Sequence, residues 1–372
     1  MNILIRYLSH DPIQNVVACL KHRFDGVIFY AYKDTTRKKH NLYKVLKNKC
    51  GVERFRFIDL DNNNIDSIRK SVSKYKNGKN HYFFDLTGCE GICSAIFINH
   101  CSNNDIPLFT IDINKDLELG IINSSKYSLK DVKNNKVKLN IADIISLSGG
   151  IIKSCIDDPF KDTSALREFK ILTTFKNNHH NEWAYFSSIL SIIGKNENQP
   201  LSTVELLKKS GNFLDQNSLF QMLSEIKKLG LINNLKFEPV ISFDYKNENV
   251  KNILIDTGSL FERKIYKEEK IGSDDCLMNV VLDWDGIIRK NQEEDVFNEI
   301  DVIKLEGYTL TFISCKDKIS SFRKEYIYEI KSVASRFGGR YCKMKIACTN
   351  KPSASDYARA KTSGIEIEEY NF

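Results

Sequence analysis

Residues 81–113 read HYFFDLTGCEGICSAIFINHCSNNDIPLFTIDI, and this stretch decides the fold. The apolar run 81–86 predicts a strand, 90–101 a helix, and 107–113 a second strand. Toward the N-terminus the alternation repeats, with strands at 2–7, 27–32 and 54–60 and helices at 36–49 and 64–76. Short connections between alternating strands and helices predict a parallel sheet covered by helices on both faces. After the first strand, Asp11 reads as a helix N-cap and Pro12 as the first helical residue, followed by apolar positions Ile13, Val17 and Leu20.

In such a sheet, ligands sit at the carboxyl ends of strands where the strand order reverses. Two segments carry suitable chemistry: Ser9-His10-Asp11 after the first strand, and Thr87-Gly88-Cys89-Glu90-Gly91 after the strand that ends at Asp85-Leu86. Gly88 lets backbone N–H groups approach a ligand, Thr87 offers a hydroxyl, and the helix start that follows favours a phosphate. The same residues also read as an ordinary strand-to-helix turn.

The chain has 372 residues, which suggests two or three domains at ~100–200 residues each. Its 42% hydrophobic content supports a packed core. No apolar run approaches the ~20 residues needed to span a bilayer, so a soluble, cytoplasmic protein without membrane contact is expected. The net charge of +7 suits an anionic partner and equally a solvated basic surface. Ten cysteines occur without a CxxC pair or zinc spacing, as expected of buried thiols in a reducing compartment. No histidine lies beyond His180, which removes imidazole-based nuclease, zinc-hydrolase and Ser-His-Asp chemistry from the second half. A phosphate-binding loop motif is also lacking.

Composition and pattern divide the chain into 1–150, a connector over 151–248, and 249–372. The connector contains two apparent capping boxes, Ser202 to Glu205 and Ser218 to Gln221, then an extended segment from Phe237 to Tyr245. This suggests a small winged-helix-like unit. Its second helix carries its basic residues in the last turn, whereas base-reading contacts usually lie near the first, so a connector is favoured over a DNA reader.

In the last segment, Thr257 to Glu262 opens a helix, and 277–284 with 286–289 read as a strand pair around Asp285-Gly286. A second hairpin, 296–305 and 308–316, turns at Glu306-Gly307. With those two residues as the turn, Glu299 lies opposite Ser314, and Asp301 lies opposite Phe312 and diagonal to Ser314. Side chains alternate along strands, so Glu299, Asp301, Ser314 and Lys316 share one face. Carboxylates and an ammonium on one face are costly unless they bind something. Asp301 with another carboxylate would hold Mg²⁺ or Mn²⁺, the Cys315 carbonyl completing the site, while Lys316 meets phosphate charge. A surface salt bridge is the plainer reading of the same residues. A helix with Phe322, Tyr326, Ile330, Val333 and Phe337, a strand at 341–348, a helix to Thr362 and a strand at 365–370 follow.

Taken in order, these features resemble CRISPR-associated ancillary nucleases that join a CARF sensor of cyclic oligoadenylates to a PD-(D/E)xK nuclease domain. The segment Asp85 to Gly91 is similar to the sensor motif after the fourth strand, without the lysine many members have. Glu262, Asp301 and Ser314-Cys315-Lys316 resemble the nuclease motif, with Ser314 where a carboxylate is usual, so that Glu262 or Glu299 would supply the missing charge. The resemblance implies a Rossmann-like sensor, a winged-helix-like connector and a restriction-endonuclease-like α/β domain. It further implies a homodimer that binds cyclic tetra-adenylate or another cyclic oligoadenylate, and that cleaves DNA or RNA with Mn²⁺ or Mg²⁺ in type III CRISPR defence. The residues expected to face the activator are Ser9, His10, Asp11, Thr87, Gly88, Cys89, Glu90 and Gly91. The alternatives are a ring-responsive transcription regulator with an inactive C-terminal domain, and a sensor that cleaves its own ring through hydroxyls and His10.

Overall fold

The computed structural model describes residues 1–31, 36–60, 65–196, 201–211, 213–287, 296–317 and 322–371. The first module contains β1 (Asn2–Tyr7), α1 (Val17–Lys21), β2 (Gly26–Ala31), α2 (Thr36–Cys50), β3 (Arg54–Asp59), α3 (Ile65–Val72), β4 (His81–Asp85), α4 (Gly91–Asn104), β5 (Leu108–Asp112), β6 (Leu117–Ile122) and α5 (Ile141–Leu147). Its sheet runs β3-β2-β1-β4-β5-β6. The first five strands are parallel, while β6, absent from the expected pattern, adds an antiparallel edge. Strand order reverses between β1 and β4, which brings the two expected ligand segments side by side. Strand β2 is buried along its whole length, as its unbroken apolar sequence requires.

The connector holds α6 (Thr163–Asn178), α7 (Trp183–Lys195), α8 (Thr203–Lys209), α9 (Gln216–Lys228) and the hairpin β8 (Ile232–Lys236) with β9 (Ser242–Tyr245), preceded by β7 (Ile151–Ile156). Ser202 and Glu205 form a capping box as expected. The second expected box does not form: Asp215 caps α9 by accepting from the Ser218 N–H at 2.7 Å. Helix α10 (Glu248–Ile255) completes this unit, since Val250, Ile253 and Leu254 join Phe175, Phe186 and Leu223 in one apolar core.

The last module comprises α11 (Ser259–Glu269), β10 (Asp275–Asp283), β11 (Phe297–Glu306), β12 (Thr309–Lys316), α12 (Glu325–Phe337), β13 (Lys343–Cys348), α13 (Ala354–Thr362) and β14 (Ile365–Glu369). Its sheet runs β14-β13-β12-β11-β10-β7. Residues 151–156, expected in the connector, therefore form the edge of this sheet, because β7 pairs with β10. The expected pairing of 277–284 with 286–289 is also corrected. Asp285-Gly286 does turn the chain, but β10 pairs with β11, and residues 288–289 lie outside the described residues.

A single apolar core spans the first and last modules. Phe29 and Phe83 of the first sheet, Ile144 and Ile145 of α5, and Phe312, Ile330 and Phe337 of the last module all belong to it. Arg336 reinforces the junction by donating to the Ser148 carbonyl at 2.6 Å and the Trp284 carbonyl at 2.8 Å. Among the described residues no helix is long and apolar enough to cross a membrane.

Candidate active site and sensor site

The β11–β12 hairpin turns on Gly307-Tyr308, one residue later than expected, because Glu306 pairs with Thr309. Gly307 has φ +60°, a conformation for which glycine is suited. The register shifts by two, so every side chain keeps its expected face. Asp301 then falls across from Ser314 rather than Phe312, and Glu299 across from Lys316 rather than Ser314.

Regular pairing of β11 with β12 stops at Val302 and Ile313. Beyond that point β12 continues against β13 as far as Lys316 and Cys348. The Cys315 N–H donates instead to Asp301 Oδ2 at 2.5 Å, and the Ser314 hydroxyl donates to the same oxygen at 3.3 Å. On the other side of β11, Asn279 of β10 adopts φ +50°, and the pairs Met278–Val302 and Val280–Ile300 pass over Asn279 and Asp301. The register is the same on both sides of this skipped pair, so the ladder is interrupted at Asp301 without a shift. Where β11 and β12 part, a cavity of about 250 Å³ opens, lined by Glu299, Asp301, Ser314 and Lys316, with Glu329, Ile330 and Val333 from α12. The Lys316 ammonium lies 4.9 Å from the centre of the Tyr326 ring.

Glu262 stands in the first turn of α11 and does not line that cavity, yet it is electrostatically coupled to it. Burial, then the charges of Asp301, Asp256 and Glu299, push its carboxyl up to about 9. Burial likewise raises Asp301, opposed by Lys316 and by the Cys315 N–H. Glu299 is raised by burial and by Asp301 and Asp256. Burial first, and repulsion between neighbouring carboxylates second, mark a site short of positive charge. Asp256 and Glu329 were missed by sequence reasoning. Asp256 accepts the Gly258 N–H at 3.0 Å just before α11, and an Asp two residues before a glycine at a helix start was the available signal. The Cys315 thiol packs with Phe261, Ile265 and Ile313 on the opposite face, leaving only its main chain at the site. Among the described residues, no three His, Cys, Asp or Glu side chains are grouped so as to hold a metal ion by themselves.

In the first module the switch point is built on a fully buried ion pair. Arg6 Nη1 meets Asp85 Oδ2 at 2.8 Å, and Arg6 Nη2 donates to the carbonyls of Thr87, at 3.0 Å, and Gln14. One guanidinium thus ties together the two loops that follow β1 and β4. Thr87 is 2% exposed, and its hydroxyl accepts the Ile111 N–H at 2.8 Å. Ser9 is buried, and its hydroxyl donates to Gln14 Oε1 and accepts from the Asp11 N–H. Asp11 Oδ1 accepts the N–H groups of Ile13 and Gln14, but the helix that follows is a single 3-10 turn before α1 whose N-cap position is Pro12, one residue later than expected. Its other oxygen accepts the Arg340 N–H at 2.7 Å, and Gln14 Nε2 donates to the Tyr341 hydroxyl at 2.9 Å. Gly88, at φ +71°, leaves no room for a Cβ, which would lie 2.2 Å from Gln14 Oε1. His10, Glu90 and Gly91 face solvent at the start of α4, and Cys89 is half-buried beside them. The loops thus present His10, the 88–91 backbone and a helix N-terminus, while Ser9, Asp11 and Thr87 hold the loops in place.

Together these features give a Rossmann-like first module, a winged-helix-like connector and a restriction-endonuclease-like α/β last module. Solved structures share this fold over the whole chain. Protein VC1899 from Vibrio cholerae aligns with a TM-score of 0.70 at 17% identity, covering 99% of this chain and 94% of that one. Can2 from Sulfobacillus thermosulfidooxidans, solved in complex with cyclic tetra-adenylate, aligns with a TM-score of 0.70 at 14% identity, covering 99% and 96%. No protein-family model and no curated protein matches the sequence.

Proposed function

We propose that this protein is a metal-dependent endonuclease of DNA or RNA, switched on when a cyclic oligoadenylate such as cyclic tetra-adenylate binds the sensors of a homodimer, and that it serves type III CRISPR defence in the cytoplasm. The observation that carries this reading is the meeting of Glu299, Asp301 and Ser314 with Lys316 where β11 and β12 part. The ring complex of Can2, which shares the fold, supports the choice of activator.

Asp301 with Glu262 or Glu299 would hold Mn²⁺ or Mg²⁺, with the Cys315 main-chain oxygen, water and substrate phosphate oxygens completing the shell, the usual economy of a magnesium site. Once bound, such an ion supplies charge neutralisation and water activation. The chain's own groups do the rest. Ser314 and the Cys315 N–H fix the Asp301 carboxylate. The Lys316 ammonium offsets charge gathering on the scissile phosphate as water attacks in line and the opposite ester oxygen leaves. Ring binding activates only if it favours one arrangement of the modules over another.

The alternative, a transcription regulator with an inactive C-terminal domain, expects Asp301 and Glu262 to lie apart from Lys316; Asp301 shares the cavity with Lys316, which argues against it, while Glu262 lies outside that lining. In α9 the basic residues Lys227 and Lys228 stand in the last turn, away from the end that usually reads bases. Supercoiled plasmid and single-stranded RNA, each incubated with Mn²⁺ and with or without cyclic tetra-adenylate, provide the test. Ring-dependent cleavage lost in Asp301→Ala supports the assignment, and cleavage that survives that substitution refutes the site.

A further inference from the structure

Lys176 lies in the last turn of α6, in the connector, and is only 2% exposed. It forms an ion pair with Asp317, the residue directly after Lys316. Asp317 also accepts from the Thr349 hydroxyl at 3.1 Å, and the Thr349 N–H donates to the Lys316 carbonyl at 3.2 Å. The end of β12 is thus held from two sides at the point where Lys316 leaves the sheet. A buried ion pair is a poor device for stability alone, because apolar residues of similar volume serve as well or better. It does fix geometry, since each charge tolerates few positions of the other.

We propose that Lys176 is a positioning residue for Lys316, acting through Asp317, so that the connector helps to set the geometry of the catalytic groove. The inference rests on the reading of that groove as a phosphodiester-cleaving site. It assigns the connector a part in the chemistry, whereas the sequence suggested only a spacer. Displacing a catalytic group by about 1 Å can cost about 100-fold in rate.

The test uses the full-length protein with cyclic tetra-adenylate, Mn²⁺ and whichever of the two substrates is cut. Lys176→Met alone removes one partner of the pair, so the decisive variant is Lys176→Met/Asp317→Leu, which replaces both at once. Lys176→Arg keeps the pair. Lysines labelled with ¹³C at Cε give a second readout, because the nearby Tyr326 ring shifts the Lys316 resonance, which is assigned by its disappearance in Lys316→Arg. The expected result is a fall in kcat of about 10- to 100-fold in the double variant, KM within about twofold, unchanged ring affinity and a displaced Lys316 resonance, with Lys176→Arg near wild type. Wild-type kcat or an unmoved resonance in the double variant overturns the proposal, as does a loss shared equally by ring affinity. If the wild-type protein cuts neither substrate, the reading of the groove falls, and the resonance still decides whether Lys176 sets the position of Lys316.

Discussion

Asp11 Oδ2 accepts the main-chain N–H of Arg340 at 2.7 Å, joining the loop after β1, at the switch point of the first sheet, to the turn that follows α12. The neighbouring bond from Gln14 to Tyr341 makes the same connection. Helix α12 carries Glu329, Ile330 and Val333 to the cavity beside Asp301. The loop after β1 is therefore one helix away from the cavity beside Asp301.

Gly339 makes this junction possible. It has φ +65°, and a Cβ there would lie 2.6 Å from Asp11 Oδ2. Gly339→Ala is expected to lower stability by about 1–3 kcal/mol and to weaken ring-dependent activation more than ring binding. Chemical denaturation, ring titration and a cleavage assay on the same variant check this. Wild-type stability and activation together would contradict it.

In the groove, Asp301→Ala and Lys316→Ala should each reduce cleavage by at least about 100-fold while thermal melting and ring binding stay close to wild type. Ser314→Ala removes one donor to Asp301 and leaves the Cys315 N–H, so its loss should be nearer 10-fold. Single-turnover rates separate these cases.

The raised carboxyl of Glu262 makes metal-free stability depend on pH. Its folded value of about 9 lies above its unfolded value, so the folded state holds the extra proton between about 4.5 and 9. Stability then falls as pH rises through that window. Glu262→Gln should flatten this slope and raise the metal-free melting temperature at pH 8. Adding Mn²⁺ to the wild type should stabilise it more at pH 8 than at pH 6. Scanning calorimetry with and without chelator provides the measurement, and a slope identical in the two proteins would remove Glu262 from the cluster.

The Arg6–Asp85 pair predicts an asymmetric pair of outcomes. Arg6→Met leaves a buried carboxylate and frees two loop carbonyls, so a loss of about 3–5 kcal/mol is expected. Adding Asp85→Asn should recover part of that stability but not the ring affinity, because the two loops stay untied. Equilibrium unfolding and ring titration distinguish the two effects.

Much of this was legible in the chain. The β1-to-β5 alternation could be read because β1, β2, β4 and β5 are largely apolar and β3 alternates Arg with Phe, and the reversal between β1 and β4 falls where the Ser9 and Gly88 segments suggested. The groove could be read because strand parity survives an error of one residue in the turn: moving it from Glu306-Gly307 to Gly307-Tyr308 changes partners and keeps faces. Long-range pairing was not legible. Strand β7 pairs with β10, more than a hundred residues away, and local pattern contains no sign of that partner. Arg6 was hidden for a similar reason: an arginine inside an apolar strand shows its role only once Asp85 is brought beside it. Ser9, Asp11 and Thr87 had the right chemistry for a ligand, yet the fold spends their oxygens on its own backbone.

Helix α5 is flanked by apolar side chains from both the first and the last sheet, with Ile141, Ile144 and Ile145 buried. A fragment cut at residue 150 would bare this seam to water and be prone to clump, as would the complementary piece. The first and last modules consequently lean on one another for their burial, and replacing either alone would require refitting the surface they share.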